Sequence, residues 1–328
     1  MATTAAMLHR RNLLRFAALP LLAGGSASAA STSFSAFLEG VAAEARRGGV
    51  SDSTLRQAFS IIQPNNKVLE LDRRQPEFTL TWAQYRDGRL STQRIERGRQ
   101  LFTENQMLLD AIWQRFQVSP RIIMAIWGLE TNYGGFTGNF NVIEALATLA
   151  WDGRRSEFFR KELLAALRIL EARDVTPDRM RGSYAGAMGN PQFMPTSFER
   201  LAVDFDGDGH RDIWGSRADS LASIANYLSR SGWREDERWG REVLLPSGFD
   251  PGLAGRSTRR PLREWLRQGV RAADGSELQV FDMEASILLP GGPSGQAFMV
   301  YQNFNVIRRY NPSDYYALVI GLLSDQLA

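Results

Sequence analysis

A mainly helical α+β fold with a small β-rich insert is the architecture this 328-residue sequence predicts. Three observations predict it. Apolar residues recur at helical spacing from residue 33 to 172 and again over 301–327. Short alternating runs separated by Gly/Pro turns are confined to 240–300. The length allows a sizeable core, and neither internal repeats nor a low-complexity linker divides the chain, so the pieces are expected to pack as one body.

The elements follow in order. Residues 1–29 read as a secretory leader. Arg10 and Arg11 give a positive start, Leu13–Leu22 is apolar though broken by Arg15 and Pro20, and Ala27-Ser28-Ala29 is a small-x-small cleavage site. That run falls short of the ~20 apolar residues a membrane span needs. The pair in Arg10-Arg11-Asn12-Leu13-Leu14 also resembles a twin-arginine signal, and the choice between the two export routes stays open. Phe34–Arg47 has a helical apolar stripe that stops at Gly48-Gly49, and Ser51–Ile62 opens on a polar cap and ends before Pro64. Ser91 to Phe116 is one long amphipathic stretch. Ser119-Pro120 starts a helix over Arg121–Glu130, with Ser as N-cap and Pro at the first helical position, that ends at Gly134-Gly135. Val142–Leu149, Ser156–Ala172 and Leu221–Ser229 read as further helices, whereas 182–218, rich in Gly, Pro and Asp, reads as loops. Within the insert, Glu242–Leu245, Leu278–Asp282 and Ser286–Leu289 are the strand candidates.

Composition narrows the chemistry. The net charge of +3 is carried by Arg10, Arg11 and Arg15; without the leader, 36 basic residues (39 less three) face 36 acidic ones. The broad basic footprint of a nucleic-acid binder is therefore missing. The sequence has no Cys, which excludes thiol catalysis, zinc–thiolate sites, disulfides and acyl anchoring on cysteine. Of its two His, His9 lies in the leader, so a Ser-His-Asp triad or a multi-His metal site has too few histidines. Carboxylates, hydroxyls, amides or a hard metal ion must carry the work.

Four constellations supply them. In Trp127-Gly128-Leu129-Glu130-Thr131-Asn132-Tyr133-Gly134 a carboxylate ends the apolar run Ile122–Leu129. An apolar setting disfavours the ionised form, and a carboxyl that keeps its proton near neutrality can donate it to a glycosidic oxygen. A helix-end glutamate capped by its own loop fits the same pattern. The segment Ser183–Pro195 is rich in small residues that admit a polymer to the backbone, with Ser183 and Gln192 as hydrogen-bonding groups; a tight structural loop reads the same way. In Asp204-Phe205-Asp206-Gly207-Asp208-Gly209-His210, acids at positions 1, 3 and 5 with Gly at 6 are similar to an EF-hand loop for Ca²⁺. Position 12 is Gly215 rather than Glu, so Asp219 is the candidate closing acid of a longer loop, and His210 would offer its backbone carbonyl. An Asp/Gly turn without an ion is the alternative. Tyr301-Gln302-Asn303-Phe304 and Tyr310-Asn311-Pro312-Ser313 combine aromatic rings and amides, suited to a sugar cleft but equally to turns and caps.

The order and spacing of several segments resemble the membrane-bound lytic murein transglycosylase B family (glycoside hydrolase family 103). They are Gly128-Leu129-Glu130-Thr131, Gly138-Asn139-Phe140 with Ala145–Ala150, Arg154-Arg155, the Ala185–Pro195 loop, the Asp-rich loop and Tyr310-Asn311. The resemblance spans about residues 33–327. It implies a lysozyme-like catalytic core, a helical domain built from both chain ends and the small β domain. The implied boundaries are 1–29 leader, 30–118 N-terminal helical domain, 119–232 catalytic core with the EF-hand-like loop, 233–300 β-rich domain and 301–328 returning helical segment. It further implies non-hydrolytic cleavage of the MurNAc-β-1,4-GlcNAc bond, with Glu130 acting first as acid and then as base. Ser183, Gln192, Tyr227, Tyr85, Tyr310, Asn311, Asn303, Arg154 and Arg155 are implied to bind substrate, and Asp204, Asp206, Asp208, His210 and Asp219 to hold a structural Ca²⁺; no organic cofactor is implied. The expected partners are glycan strands and, beyond them, other cell-wall enzymes, for a periplasmic monomer without a transmembrane segment. Two departures stand out. One extra residue separates Trp214 from Asp219, and the cysteine of a lipobox is missing. A lysozyme-type hydrolase and a non-catalytic peptidoglycan scaffold are the competing readings.

Overall fold

The computed structural model describes residues 33–60, 62–74, 80–279 and 281–327; the leader read over 1–29 lies outside them. They fold into two compact units. One gathers the described residues of Met1–Glu77 with Gly134–Ser223, the other those of Phe78–Tyr133 with Ile224–Ala328.

The first unit is built around two helices, α8 (Val142–Asp152) and α9 (Ser156–Glu171), packed on one another, with α1 (Phe34–Arg47), α2 (Asp52–Phe59), α3 (Asn66–Arg73) and α10 (Pro195–Leu201) laid against them. In α8 every residue from Val142 to Ala150 except Glu144 is buried, which suits a central helix. The exception is used: Asn65, the N-cap of α3, donates to Glu144 at 2.6 Å. Helix α10 lies inside the span that composition assigned to loops. Pro195 occupies its first turn, where the missing N–H costs nothing. The buried carboxylate of Glu162 on α9 accepts from the Thr196 N–H at 2.9 Å and its hydroxyl at 2.8 Å, capping this helix from a neighbouring element. A two-stranded ladder, β1 (Phe140–Asn141) with β2 (Arg181–Gly182), closes the unit on the glycine-rich loop.

In the second unit α7 (Pro120–Thr131) packs against α5 (Thr92–Glu104), α6 (Gln106–Phe116) and α14 (Asp314–Ser324). The single stretch expected over 91–116 is two helices. Asn105 ends the first by donating its side-chain amide to the Leu101 carbonyl at 2.6 Å, a local bond that competes with the helix ladder. The chain passes from the first unit to the second within α11 (Arg217–Arg230).

A five-stranded antiparallel sheet follows in the order β4-β6-β7-β3-β5: β3 (Gly240–Leu244), β4 (Arg260–Pro261), β5 (Arg271–Ala272), β6 (Glu284–Leu288) and β7 (Ala297–Val300). Its register sets Ile287 opposite Met299 and Leu288 opposite Phe298. Ile287 and Met299 join Val243, Leu262, Val270 and Trp265 in one apolar cluster, where the Trp265 indole donates to the Ala285 carbonyl at 3.0 Å. Phe298 points to the other face, edge-on to Trp82 at 5.8 Å. Both faces of β6 and β7 are therefore buried, so these strands read as apolar runs rather than alternations. The Leu278–Asp282 candidate forms no strand at its described residues, Val280 lying outside them; Leu278 instead buries in the Trp265 cluster. Helix α13 (Gln302–Tyr310) leads from β7 into α14.

Candidate active site

Glu130 sits in the last turn of α7, a helix buried nearly all round, and is itself 6% exposed. Its Oε1 accepts a 2.9 Å hydrogen bond from the Tyr316 hydroxyl, contributed by α14. The helix stops sooner than the glycines at 134–135 suggest. Asn132 and Tyr133 themselves adopt left-handed backbone, with φ of 51° and 58°. This turn folds the Tyr133 ring back against Trp127, edge-on at 5.6 Å. Gly98 on α5 and Gly128 on α7 leave the space it needs: a Cβ at Gly128 would lie 2.5 Å from the Tyr133 ring, and one at Gly98 2.2 Å from its hydroxyl. Gly128 thus makes room for Tyr133, not for a ligand. Burial pushes the Tyr133 phenol up to about 12, against a smaller opposing pull from Arg94. Ser119 begins α7 as expected, but without a side-chain cap bond.

Other expected residues of this unit group by contact. Tyr227 on α11 and Tyr310 at the end of α13 have ring centroids 4.6 Å apart, and the Tyr227 hydroxyl donates to the Arg309 carbonyl at 2.5 Å. Asn311 ends α13 and accepts from the Ser313 N–H at 3.2 Å. Tyr85 is half-buried between Tyr315, at 5.5 Å, and the Arg89 guanidinium, 3.5 Å from its ring centre. Asn303 is fully buried, and its side chain is committed to the loop preceding β3. It accepts from the Arg234 N–H at 2.9 Å and donates to the Arg234 and Glu237 carbonyls, both at 2.6 Å. Its amide braces the chain.

In the first unit, Ser183 closes a tight turn. Its Oγ accepts from the Ala187 N–H at 3.0 Å and its own N–H donates to the Ala187 carbonyl at 2.8 Å. That leaves its hydroxyl proton available for an incoming acceptor. Gln192 is fully buried with a φ of 56°, and its amide donates to the Thr137 and Gly189 carbonyls at 2.9 and 2.7 Å. Only its Oε1 lacks a partner among the described residues. Arg154 and Arg155 both meet the buried Asp72 carboxylate of α3, Arg155 by a direct hydrogen bond and Arg154 at 3.7 Å.

The Asp-rich loop brings Asp204, Asp206 and Asp219 together, one carboxylate oxygen of each lying within 4.8 Å of the others. Asp219, separated from Asp204 by the lengthened loop, is fully buried and accepts from the Phe205 and Asp212 N–H groups at 2.7 and 2.8 Å. Burial raises its pKa. Ser216 donates to Asp206 at 2.6 Å. Three hard carboxylate oxygens suit Ca²⁺ or Mg²⁺. The Asp208 side chain falls outside this group, and its carboxylate accepts from the His210 N–H at 2.8 Å.

Sequence reading missed Tyr316. It lies 186 positions from Glu130, in a helix so apolar that the ring reads as core. The usable signal is chemical: a buried tyrosine hydroxyl needs a partner.

The model of the transglycosylase SLT domain family matches residues 33–325. The chain belongs to this family. Among its relatives is the membrane-bound lytic murein transglycosylase B of Escherichia coli K12, 33% identical over 252 residues, or 75% of this chain and 67% of that one. SltB3 of Pseudomonas aeruginosa, solved with NAG-anhNAM-pentapeptide, is 47% identical; it superposes with a TM-score of 0.88 over 90% of this chain and 79% of its own. E. coli Slt35, solved with calcium, is 29% identical with a TM-score of 0.76 over 92% and 95% of the two chains. The motif resemblance, the mainly helical fold with its small sheet and the lysozyme-like core of this transglycosylase agree with those neighbours. None of its described helices is long and apolar enough to cross a membrane.

Proposed function

We infer that this lytic transglycosylase cleaves peptidoglycan glycan strands at the MurNAc-β-1,4-GlcNAc bond with Glu130 as its single acid and base. The observation that carries the assignment is a buried carboxyl at the end of an apolar helix that accepts a hydrogen bond from the Tyr316 hydroxyl. Glu130 gives its proton to the glycosidic oxygen as the bond breaks, and the substrate's own N-acetyl group steadies the cationic sugar carbon. The carboxylate then takes the proton of the MurNAc C6 hydroxyl, whose oxygen closes the 1,6-anhydro ring. The proton count balances without water and without the second carboxylate of a conventional glycosidase. Tyr316 fixes the carboxyl rotamer. Ser183, Asn311 and the Tyr227–Tyr310 pair are the residues we assign to strand binding; Tyr85 offers a further ring. Gln192, Asn303 and the Arg154–Arg155 pair support the surrounding backbone.

Asp204, Asp206 and Asp219 would hold a Ca²⁺ ion that ties the loop to the start of α11, as a structural rather than catalytic group. The N-terminal leader directs export, placing the mature chain in the periplasm as a monomer. The 119–232 core, the helical parts and the 233–300 β domain remain our division of the chain by role. Digesting purified murein sacculi tests the function: 1,6-anhydro-muropeptides support it, and reducing MurNAc ends identify a hydrolase instead.

A further inference from the structure

The sheet-bearing unit contains a cavity of about 640 Å³ that none of the residues above requires for glycan cleavage. Arg234, Arg238, Arg241 and Arg259 line it. Two are already engaged: Arg234 pairs with Glu237 at 2.5 Å and Arg259 with Glu284 at 3.3 Å. Arg238 and Arg241 have no ion pair among the described residues. Tyr301 forms part of the wall and is 1% exposed, yet its hydroxyl has no partner of ordinary hydrogen-bond geometry, and neither has the Arg241 Nε. Arg241 lies 5.7 Å from the Tyr301 ring centre and acts on that hydroxyl both through its charge and as a hydrogen-bonding neighbour, short of ordinary geometry. Helix α13 also begins here. Tyr301 is its N-cap and supplies no side-chain bond to its first N–H groups, and Gln302 opens its first turn on the cavity. A helix N-terminus without a side-chain cap, two guanidinium groups without an ion pair among the described residues and a buried phenol together favour an anionic oxygen.

The rim is not uniformly positive. Asp236 and Asp282 join Glu237 and Glu284, four acids against four arginines, so a polyanion would meet repulsion as well as attraction. Phe281, 51% exposed, adds an apolar surface beside Met283. We propose that this cavity binds a peptide carrying both a free carboxylate and a free ammonium: Arg238 and Arg241 take the carboxylate, the acidic rim takes the ammonium, and Phe281 packs on side-chain methyl groups. That the peptide is a stem of the glycan substrate rests on the peptidoglycan reading; the charge pattern itself does not.

Calorimetry with the full chain and a sugar-free synthetic stem peptide, N-acetyl-Ala-Glu-Lys-Ala-Ala with its lysine ammonium and C-terminal carboxylate free, tests it. We expect saturable binding that weakens at least tenfold in Arg238→Ala and in Arg241→Met, and at least tenfold when the peptide's lysine is acetylated and its C-terminus amidated. Glu130→Gln should leave the affinity unchanged, and inorganic phosphate should not displace the peptide. Because Arg238 is exposed, its variant stays interpretable if Arg241→Met disturbs folding. Absence of binding, parental affinity in both arginine variants, or displacement by phosphate at matching concentration would each overturn the proposal. Sacculus digestion fails separately: anhydro products without peptide binding sink the cavity alone, and peptide binding without anhydro products sinks the catalytic reading alone.

Discussion

The Tyr316 hydroxyl donates to Oε1 of Glu130 and so sets the direction in which this carboxyl faces. A hydrogen bond of this kind contributes about 0.5–1.5 kcal/mol, so Tyr316→Phe should lower kcat by roughly twofold to tenfold and lower the melting temperature slightly. Glu130→Gln removes the proton donor altogether, and a loss of at least ~10³-fold is expected for a single group serving as both acid and base. A Tyr316→Phe enzyme as active as the parent would remove the positioning role. The apolar run made Glu130 a candidate and the family resemblance selected it, but its partner could not be read, since nothing local marks one tyrosine of an apolar helix as facing a residue far away in sequence. Asn303 shows the converse. Its aromatic neighbours suggested a sugar site, whereas three bonds to the 234–237 loop occupy its amide.

At the level of elements, α7 ends as it does because Tyr133 needs room above Gly128 and Gly98. Gly128→Ala would force the ring off Trp127. Overpacking of this kind costs about 1–3 kcal/mol, and it would also disturb the turn that ends the Glu130 helix, so melting temperature and activity should fall together. Tyr133→Phe removes a buried hydroxyl without a partner and should leave stability unchanged or slightly raised. A large loss in Tyr133→Phe would mean the hydroxyl is satisfied after all. The Asp loop makes a separate prediction. Saturating Ca²⁺ at a hundred times its dissociation constant should stabilise the fold by about 2.7 kcal/mol, a Tm rise of several degrees reversed by EDTA and weakened in Asp219→Asn. An identical Tm in EDTA and millimolar Ca²⁺ would refute the site. The acids at 204 and 206 were legible from spacing. Asp219 was legible too, as the next acid beyond Gly215, whereas its burial and its bonds from the Phe205 and Asp212 N–H groups depend on the backbone path and were not.

For the whole molecule, stability against pH should carry the mark of Glu162. Burial raises its pKa, outweighing the Thr196 bonds that lower it. A raised carboxyl stabilises the fold fully below its unfolded pKa, near 4.3, and that contribution is lost as pH rises through the higher folded value. Glu162→Gln should therefore flatten this falling limb relative to the parent in urea melts across pH 4–8; parallel curves would show that burial does not govern the group. Helix α10, which Glu162 caps, was hidden by its Gly- and Pro-rich surroundings, because its N-terminus is satisfied from another helix rather than by a local cap residue. Likewise the apolar β7 gave no alternation to read, because both of its faces are covered. The periodic helices α1, α8 and α9 depend on short-range pattern and could be seen in the chain itself.

The most direct test of the central claim is mass analysis of muropeptides released from purified sacculi by the mature enzyme and by its Glu130→Gln variant. The account predicts 1,6-anhydro-MurNAc ends from the enzyme and essentially none from the variant. Reducing MurNAc ends, or anhydro products from the variant at the parent's rate, would contradict it.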